Sequence, residues 1–219
     1  MKLSFCHPKL PTQKTYRVLP ALMFHSLLRK NSDKLALSEE DIDFLVKSTN
    51  EDRDVILAHY KIFLSNHPDG LITPKSFHSM LTQCFPTSTA KKLSKHIWRI
   101  YDTNQDGLID FREFAVALHT MSFGSSEDNL SQIFRVFDID CDGEIDHDEM
   151  KQILKDLLKV ENEKVDNKSL ESLARSAFSE MDENEDGFIS RNEFIEACLA
   201  QKKVATMLAL KIIQIFLQA

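Results

Sequence analysis

Three twelve-residue stretches of one design recur along the chain: DTNQDGLIDFRE at 102–113, DIDCDGEIDHDE at 138–149 and DENEDGFISRNE at 182–193. Each opens on Asp, with Asp or Asn third, Asp fifth, Gly sixth, Ile eighth, an oxygen-bearing side chain ninth and Glu twelfth. Carboxylates crowded in this way repel one another unless a cation draws them together, and a loop kept only for solubility needs no such register. The chain has only five glycines, and Gly107, Gly143 and Gly187 hold the sixth place of the three stretches. Glycine is the residue that takes φ > 0 there without a Cβ penalty. A fourth, Gly70, sits in SNHPDGLITPKS at 65–76, which keeps the frame but has Ser65 first, His67 third, Pro68 fourth and Ser76 twelfth.

This spacing is that of the EF-hand calcium loop. The stretches at 65–76, 102–113, 138–149 and 182–193 are called loops 1 to 4 below. Side chains at places one, three and five converge on one point: Asp102, Asn104 and Asp106; Asp138, Asp140 and Asp142; Asp182, Asn184 and Asp186. Place seven offers a backbone carbonyl, from Leu108, Glu144 and Phe188, and place nine, Asp110, Asp146 and Ser190, acts through water. Glu113, Glu149 and Glu193 bind in bidentate fashion, which reaches the six to eight oxygens that Ca²⁺ prefers. The cofactor is therefore Ca²⁺ at three sites, with Mg²⁺ as the alternative occupant of the calcium-free form. Loop 3, the most acidic, should bind strongly, and loop 4, with Ser190 at place nine, should be the weakest or the most tolerant of Mg²⁺. Loop 1 reads as a metal-free copy kept to pair with loop 2. Ile72, Ile109, Ile145 and Ile189 should form the short strands through which loops pair.

Apolar residues recur every three to four positions on both sides of each loop, as in Ile97, Trp98 and Tyr101 before loop 2 and Phe114, Ala117 and Leu118 after it. The fold expected is all-α: two lobes of paired EF-hands, 37–121 and 129–201, joined by a turn-rich hinge at 122–128 around Gly124. Ser38, with Asp41 three residues on, should cap the first helix, and Asp52 the second. The polar stretch at 159–169 reads as a helix end and a solvated loop. A terminal helix at 202–219 has Val204, Met207, Leu208, Ile212 and Ile215 on one face and Leu210, Ile213 and Leu217 on the other. A helix apolar nearly all round must be covered on more than one side. Core packing of a terminal helix and occupancy of a groove that a partner helix otherwise fills both account for it.

Residues 1–36 form a basic arm: the first 32 contain six Lys or Arg and no Asp or Glu, although the whole chain has a formal net charge of −7. Pro8, Pro11 and Pro20 break it, so it makes a poor secretory signal. Membrane contact through its basic charge is one role for it. No apolar run reaches the roughly 18–20 residues that span a bilayer. The four cysteines, Cys6, Cys84, Cys141 and Cys198, are far apart, which suits a reducing compartment such as the cytoplasm. The dense carboxylates are accounted for as ligands and no nucleophile–base or phosphate-cradling motif stands beside them, so an enzyme is not expected. Nucleic acid is not an expected partner either, since the basic arm alone supports it.

From about residue 38 to 200 the chain resembles the neuronal calcium sensor family, the group of recoverin, visinin-like, frequenin and potassium-channel-interacting proteins. HPDG stands where that family has a disabled Cys-Pro-x-Gly first loop, IDFREFAVAL follows loop 2, and GSSEDNLSQIFRVFDIDCDGEI leads into loop 3. The family's first-loop cysteine is replaced by His67, and Lys2 follows Met1 where many members begin Met-Gly and are myristoylated. The resemblance implies a sensor that exposes a hydrophobic groove on binding Ca²⁺ and captures an amphipathic helix of a target of the channel, kinase, cyclase or phosphatase class, peripheral to a membrane through that partner. Trp98, Phe114, Leu118, Phe77, Met80, Leu81 and the terminal helix are the candidates to line the groove. A calcineurin B-like subunit of an enzyme and a calcium buffer are the alternatives.

Overall fold

The computed structural model describes residues 36–84, 87–160 and 166–217. Helices α1 (Glu39–Thr49) and α2 (Arg53–Asn66) lead into loop 1, strand β1 (Leu71–Ile72) crosses it, and α3 (Pro74–Cys84) leaves it. The pattern repeats about loop 2 with α4 (Thr87–Tyr101), β2 (Ile109–Asp110) and α5 (Phe111–Phe123). It repeats again about loop 3 with α6 (Ser126–Phe137), β3 (Glu144–Ile145) and α7 (His147–Val160). About loop 4 stand α8 (Asn167–Met181), β4 (Ile189–Ser190) and α9 (Arg191–Leu199), and α10 (Lys203–Leu217) follows. The fold is all-α, with paired EF-hands and short antiparallel ladders, as the repeat dictates.

Local chemistry sets the helix ends. Ser38 Oγ accepts the Asp41 N–H at 3.1 Å and donates to the Asp41 carboxylate at 2.6 Å, so the expected cap of α1 is formed; such a cap contributes about 1 kcal/mol. Asn50 closes the same helix in the left-handed region, φ 53°. Asp52 does stand at the N-cap of α2, but its side chain makes no capping hydrogen bond.

The ladders pair Ile72 with Ile109 and Ile145 with Ile189, each antiparallel. All four isoleucines are fully buried. The degenerate loop thus pairs with loop 2, β1 lying antiparallel to β2. Below the ladders, aromatic rings fill each lobe. Phe77 and Tyr101 meet edge to face at 5.5 Å and Tyr101 stacks on Phe114 at 5.8 Å in the first lobe, while Phe134 and Phe137 pack on Phe194 in the second.

The lobes are joined at Gly124 and Ser125, which cap α5 and α6 respectively, so most of the 122–128 segment is helical. Helix α4 of the first lobe packs on α6 and α7 of the second. Helix α10 lies against α8 and α9 and touches α6. Val204, Leu208 and Ile212 are buried, and Ile212 enters a seam between the lobes with Leu93 and Ile97 of α4 and Ile153 and Leu157 of α7. The basic arm, and the side chains of Ile213, Ile215 and Leu217, lie outside the described residues. Among the described residues, no helix is long and apolar enough to cross a membrane.

Candidate calcium sites

Each of loops 2, 3 and 4 turns its carboxylates inward by using its own backbone donors. At place one, the Asp102, Asp138 and Asp182 carboxylates accept the N–H of Gly107, Gly143 and Gly187 at 3.2, 3.2 and 3.0 Å. At place three, Asn104, Asp140 and Asn184 accept the N–H of Asp106, Asp142 and Asp186 at 2.9, 3.3 and 2.9 Å. At place five, the carboxylates of Asp106, Asp142 and Asp186 accept the N–H of Leu108, Glu144 and Phe188. The glycines make this winding possible, with φ of 82°, 94° and 88°.

The glutamates at place twelve reach back over the start of their loops. Glu113 accepts the Thr103 N–H at 2.9 Å, Glu149 the Ile139 N–H at 2.6 Å and Glu193 the Glu183 N–H at 3.1 Å. Their second oxygens accept the N–H of Asp110, Asp146 and Ser190, while those three side chains accept the N–H of the glutamates in return. Place nine is therefore the N-cap of the exit helix and place twelve its partner in a capping box.

Among the described residues, two buried carboxylate oxygens have no hydrogen-bond partner: Asp102 Oδ1 and Asp138 Oδ1, on residues only 7% exposed. A buried acceptor left so costs about 1–3 kcal/mol, more when charged. A hard cation among the loop oxygens removes that cost, so the donor set fits Ca²⁺. In loop 3, oxygens of Asp138, Asp140 and Glu149 all lie within 4.8 Å of one another. Burial pushes the Asp138 and Glu149 carboxyls above their ordinary range, and neighbouring loop carboxylates add to this against backbone hydrogen bonds. Glu193 differs. Desolvation works to raise its pKa, but hydrogen bonds from Ser190, Glu183 and Asn184 outweigh it and hold the carboxyl below the ordinary range.

Loop 1 keeps the fold of the site but, of the loop carboxylates, only Asp69 at place five. Gly70 has φ 75°, and Thr73 and Ser76 exchange capping hydrogen bonds of 2.9 and 3.2 Å, with Ser76 at place twelve where the other loops use a glutamate. His67 lies against the Phe63 ring at 5.2 Å, and burial pushes its pKa down.

Three features were not read from the sequence. Gln105, Cys141 and Glu185, at place four, all have left-handed φ of 59–62° although none is glycine. The capping use of places nine and twelve was visible as [DS]-x-x-E, the usual box signal. Trp98 Nε1 donates to Asp102 Oδ2 at 2.7 Å, and no local motif marks that bond.

A profile of the EF-hand domain pair matches residues 91–155 and 127–199. The chain is 30% identical to recoverin of Homo sapiens over 184 residues, 81% of this chain and 92% of the relative. It is equally 30% identical to visinin of Gallus gallus, over 81% of this chain and 96% of the relative. It is 30% identical to the guanylyl cyclase inhibitory protein of Lithobates pipiens over 153 residues, 68% of this chain and 74% of the relative. Paired EF-hands followed by an apolar terminal helix thus find their counterparts among these relatives, and the chain belongs to the neuronal calcium sensor family of EF-hand proteins.

Proposed function

We propose that the protein is a calcium sensor with three working sites, loops 2, 3 and 4, whose ligands are the side chains at places one, three, five and twelve, with the carbonyls of Leu108, Glu144 and Phe188 and the place-nine residues Asp110, Asp146 and Ser190 completing each shell. Mg²⁺ holds the loops when calcium is low. The observation that carries this reading is the inward set of Glu113, Glu149 and Glu193 together with the partnerless oxygens of Asp102 and Asp138. Three divalent ions neutralise most of the net charge of −7, relieving the repulsion among loop acids.

In the described structure, Phe77, Leu81, Phe114 and Leu118 are core residues, while Trp98 and Met80 are partly exposed. Loading of the loops rotates the exit helices and turns part of this surface outward as a groove for an amphipathic helix. The target is a signalling protein; one relative is by name an inhibitor of guanylyl cyclase, which makes a cyclase one class beside channels, kinases and phosphatases. The protein itself is a regulator rather than a catalyst, and it acts in the cytoplasm, at membranes through its partner.

The test is a pull-down with the calcium-loaded chain against the same chain in chelator, alongside binding of an environment-sensitive hydrophobic dye. The sensor reading requires partners and dye signal that rise with calcium. Calcium uptake with identical partners and flat dye signal in both states identifies a buffer and contradicts it.

A further inference from the structure

Helices α4 and α6 run into loops 2 and 3, and each ends in backbone carbonyls that its own helix cannot satisfy. Across the lobe interface the two helices satisfy each other. Arg99, on α4, donates from Nε to the Arg135 carbonyl at 3.1 Å and from Nη2 to the Val136 carbonyl, in the last turn of α6 just before Asp138. Arg135, on α6, reaches back and donates from Nη2 to the Asp102 carbonyl at 3.3 Å. A cation at a helix C-terminus is favourable; here each entering helix supplies the cation of the other.

The bracket is locked in place from behind. Arg99 Nη2 also donates to His96 Nδ1 at 3.0 Å, which leaves the His96 proton on Nε2, donating to Asp156 Oδ2 on α7 at 3.1 Å. Gln152 donates to the same Asp156 oxygen at 2.7 Å. His96 and Asp156 are buried at the seam that Ile212 enters. The bracket also marks the two place-one aspartates apart from the third: Asp102 and Asp138 are buried, each with a partnerless oxygen, whereas Asp182 of loop 4 is partly exposed.

We propose that Arg99 and Arg135 form a reciprocal bracket that couples calcium occupancy of loop 2 to that of loop 3 across the lobe interface. Any shift of Asp102 as loop 2 fills moves the carbonyl that Arg135 holds, and with it the end of α6 where loop 3 begins; the reverse path runs through Arg99. Burial pulls both guanidiniums below their ordinary range, and the loop carboxylates act against it, Asp138 and Glu149 at Arg99 and Asp138, Glu113 and Asp102 at Arg135. The inference rests on the proposed calcium sites.

The test uses the full chain and the emission of Trp98, the only tryptophan, which is bonded to the first residue of loop 2. Calcium titrations are compared for the wild type and Glu149→Gln, which disables loop 3, each with and without Arg135→Met, with helicity checked by circular dichroism. Coupling between sites is commonly about 5- to 150-fold in affinity. Glu149→Gln is expected to raise the loop 2 midpoint by at least about 5-fold in the wild type and by less than about 2-fold beside Arg135→Met. Arg99→Met should abolish the shift from the other side. The proposal is overturned if the shift is the same with and without the arginines, or if Glu149→Gln leaves the wild-type midpoint in place, an outcome that needs no arginine variant to be stable. Calorimetry separates the two readings: absence of calcium uptake at loop 2 or 3 removes both, whereas normal uptake with no shift removes the bracket alone.

Discussion

Trp98 and Asp102 are tied by a 2.7 Å hydrogen bond from the indole N–H to Oδ2, one turn apart at the point where α4 becomes loop 2. The same Oδ2 accepts the Gly107 N–H, while Oδ1 is buried without a partner. The sole indole of the chain therefore reads the electrostatics of loop 2 directly. Its emission should change in intensity or wavelength as calcium is added. Glu113→Gln should remove that change in the low-calcium range, and Glu193→Gln, in loop 4, should leave it. An emission that follows loop 4 instead contradicts the assignment.

The strand pairs are expected to dominate lobe stability locally. Ile189 is fully buried opposite Ile145, with the rings of the second-lobe core beneath. Ile189→Ala should cost about 2–5 kcal/mol and Ile189→Val about 0.5–1.5 kcal/mol. Urea unfolding in calcium-free buffer measures both. Because the ladder joins loops 3 and 4, the alanine variant should also weaken calcium uptake at both, whereas loop 2 should be affected less.

The hydrogen-bonded frame of the loops was legible because it is local: it closes within twelve consecutive residues, with bonds such as Asp106 N–H to Asn104 spanning two residues and Thr103 N–H to Glu113 spanning ten. The lobe pairing was legible for a related reason, since Ile72, Ile109, Ile145 and Ile189 hold the same place in each copy. The interface between lobes was not. Arg99 reaches Arg135 across 36 residues and His96 reaches Asp156 across 60, and a lone Arg or His on a helix reads in sequence as a solvated face. Of the expected apolar face of the terminal helix, Val204, Leu208 and Ile212 are buried and Met207 is partly exposed, but nothing local told that Ile212 enters a seam with the first lobe.

His96 makes stability depend on pH in a defined sense. Burial holds its pKa below the ordinary 6.5, with Arg99 and Lys95 acting in the same direction and Asp156 against them. The unfolded chain then binds the proton more readily, so the contribution of neutral His96 is present above the ordinary value and is lost as pH falls through the folded one. Between about pH 7 and about pH 5.5 the urea midpoint of the wild type should fall more than that of His96→Gln. Parallel curves for the two proteins exclude this role.

Gly124 serves close approach rather than an unusual backbone angle, since its φ is an ordinary −62°. A Cβ there would stand 2.5 Å from the Thr120 carbonyl oxygen and 3.1 Å from Asp128 Cβ. Gly124→Ala should therefore destabilise the junction of α5 and α6 by about 1–3 kcal/mol. Thermal melting in chelator tests it; an unchanged melting temperature shows that the junction can widen without cost.

Titration calorimetry of the full chain with calcium, at physiological ionic strength and after removal of bound metal, addresses the central claim most directly. Saturable uptake of three ions is predicted, falling to two in each of Glu113→Gln, Glu149→Gln and Glu193→Gln and unchanged in Ser76→Ala. No saturable uptake, or a stoichiometry indifferent to the three glutamates, contradicts the account.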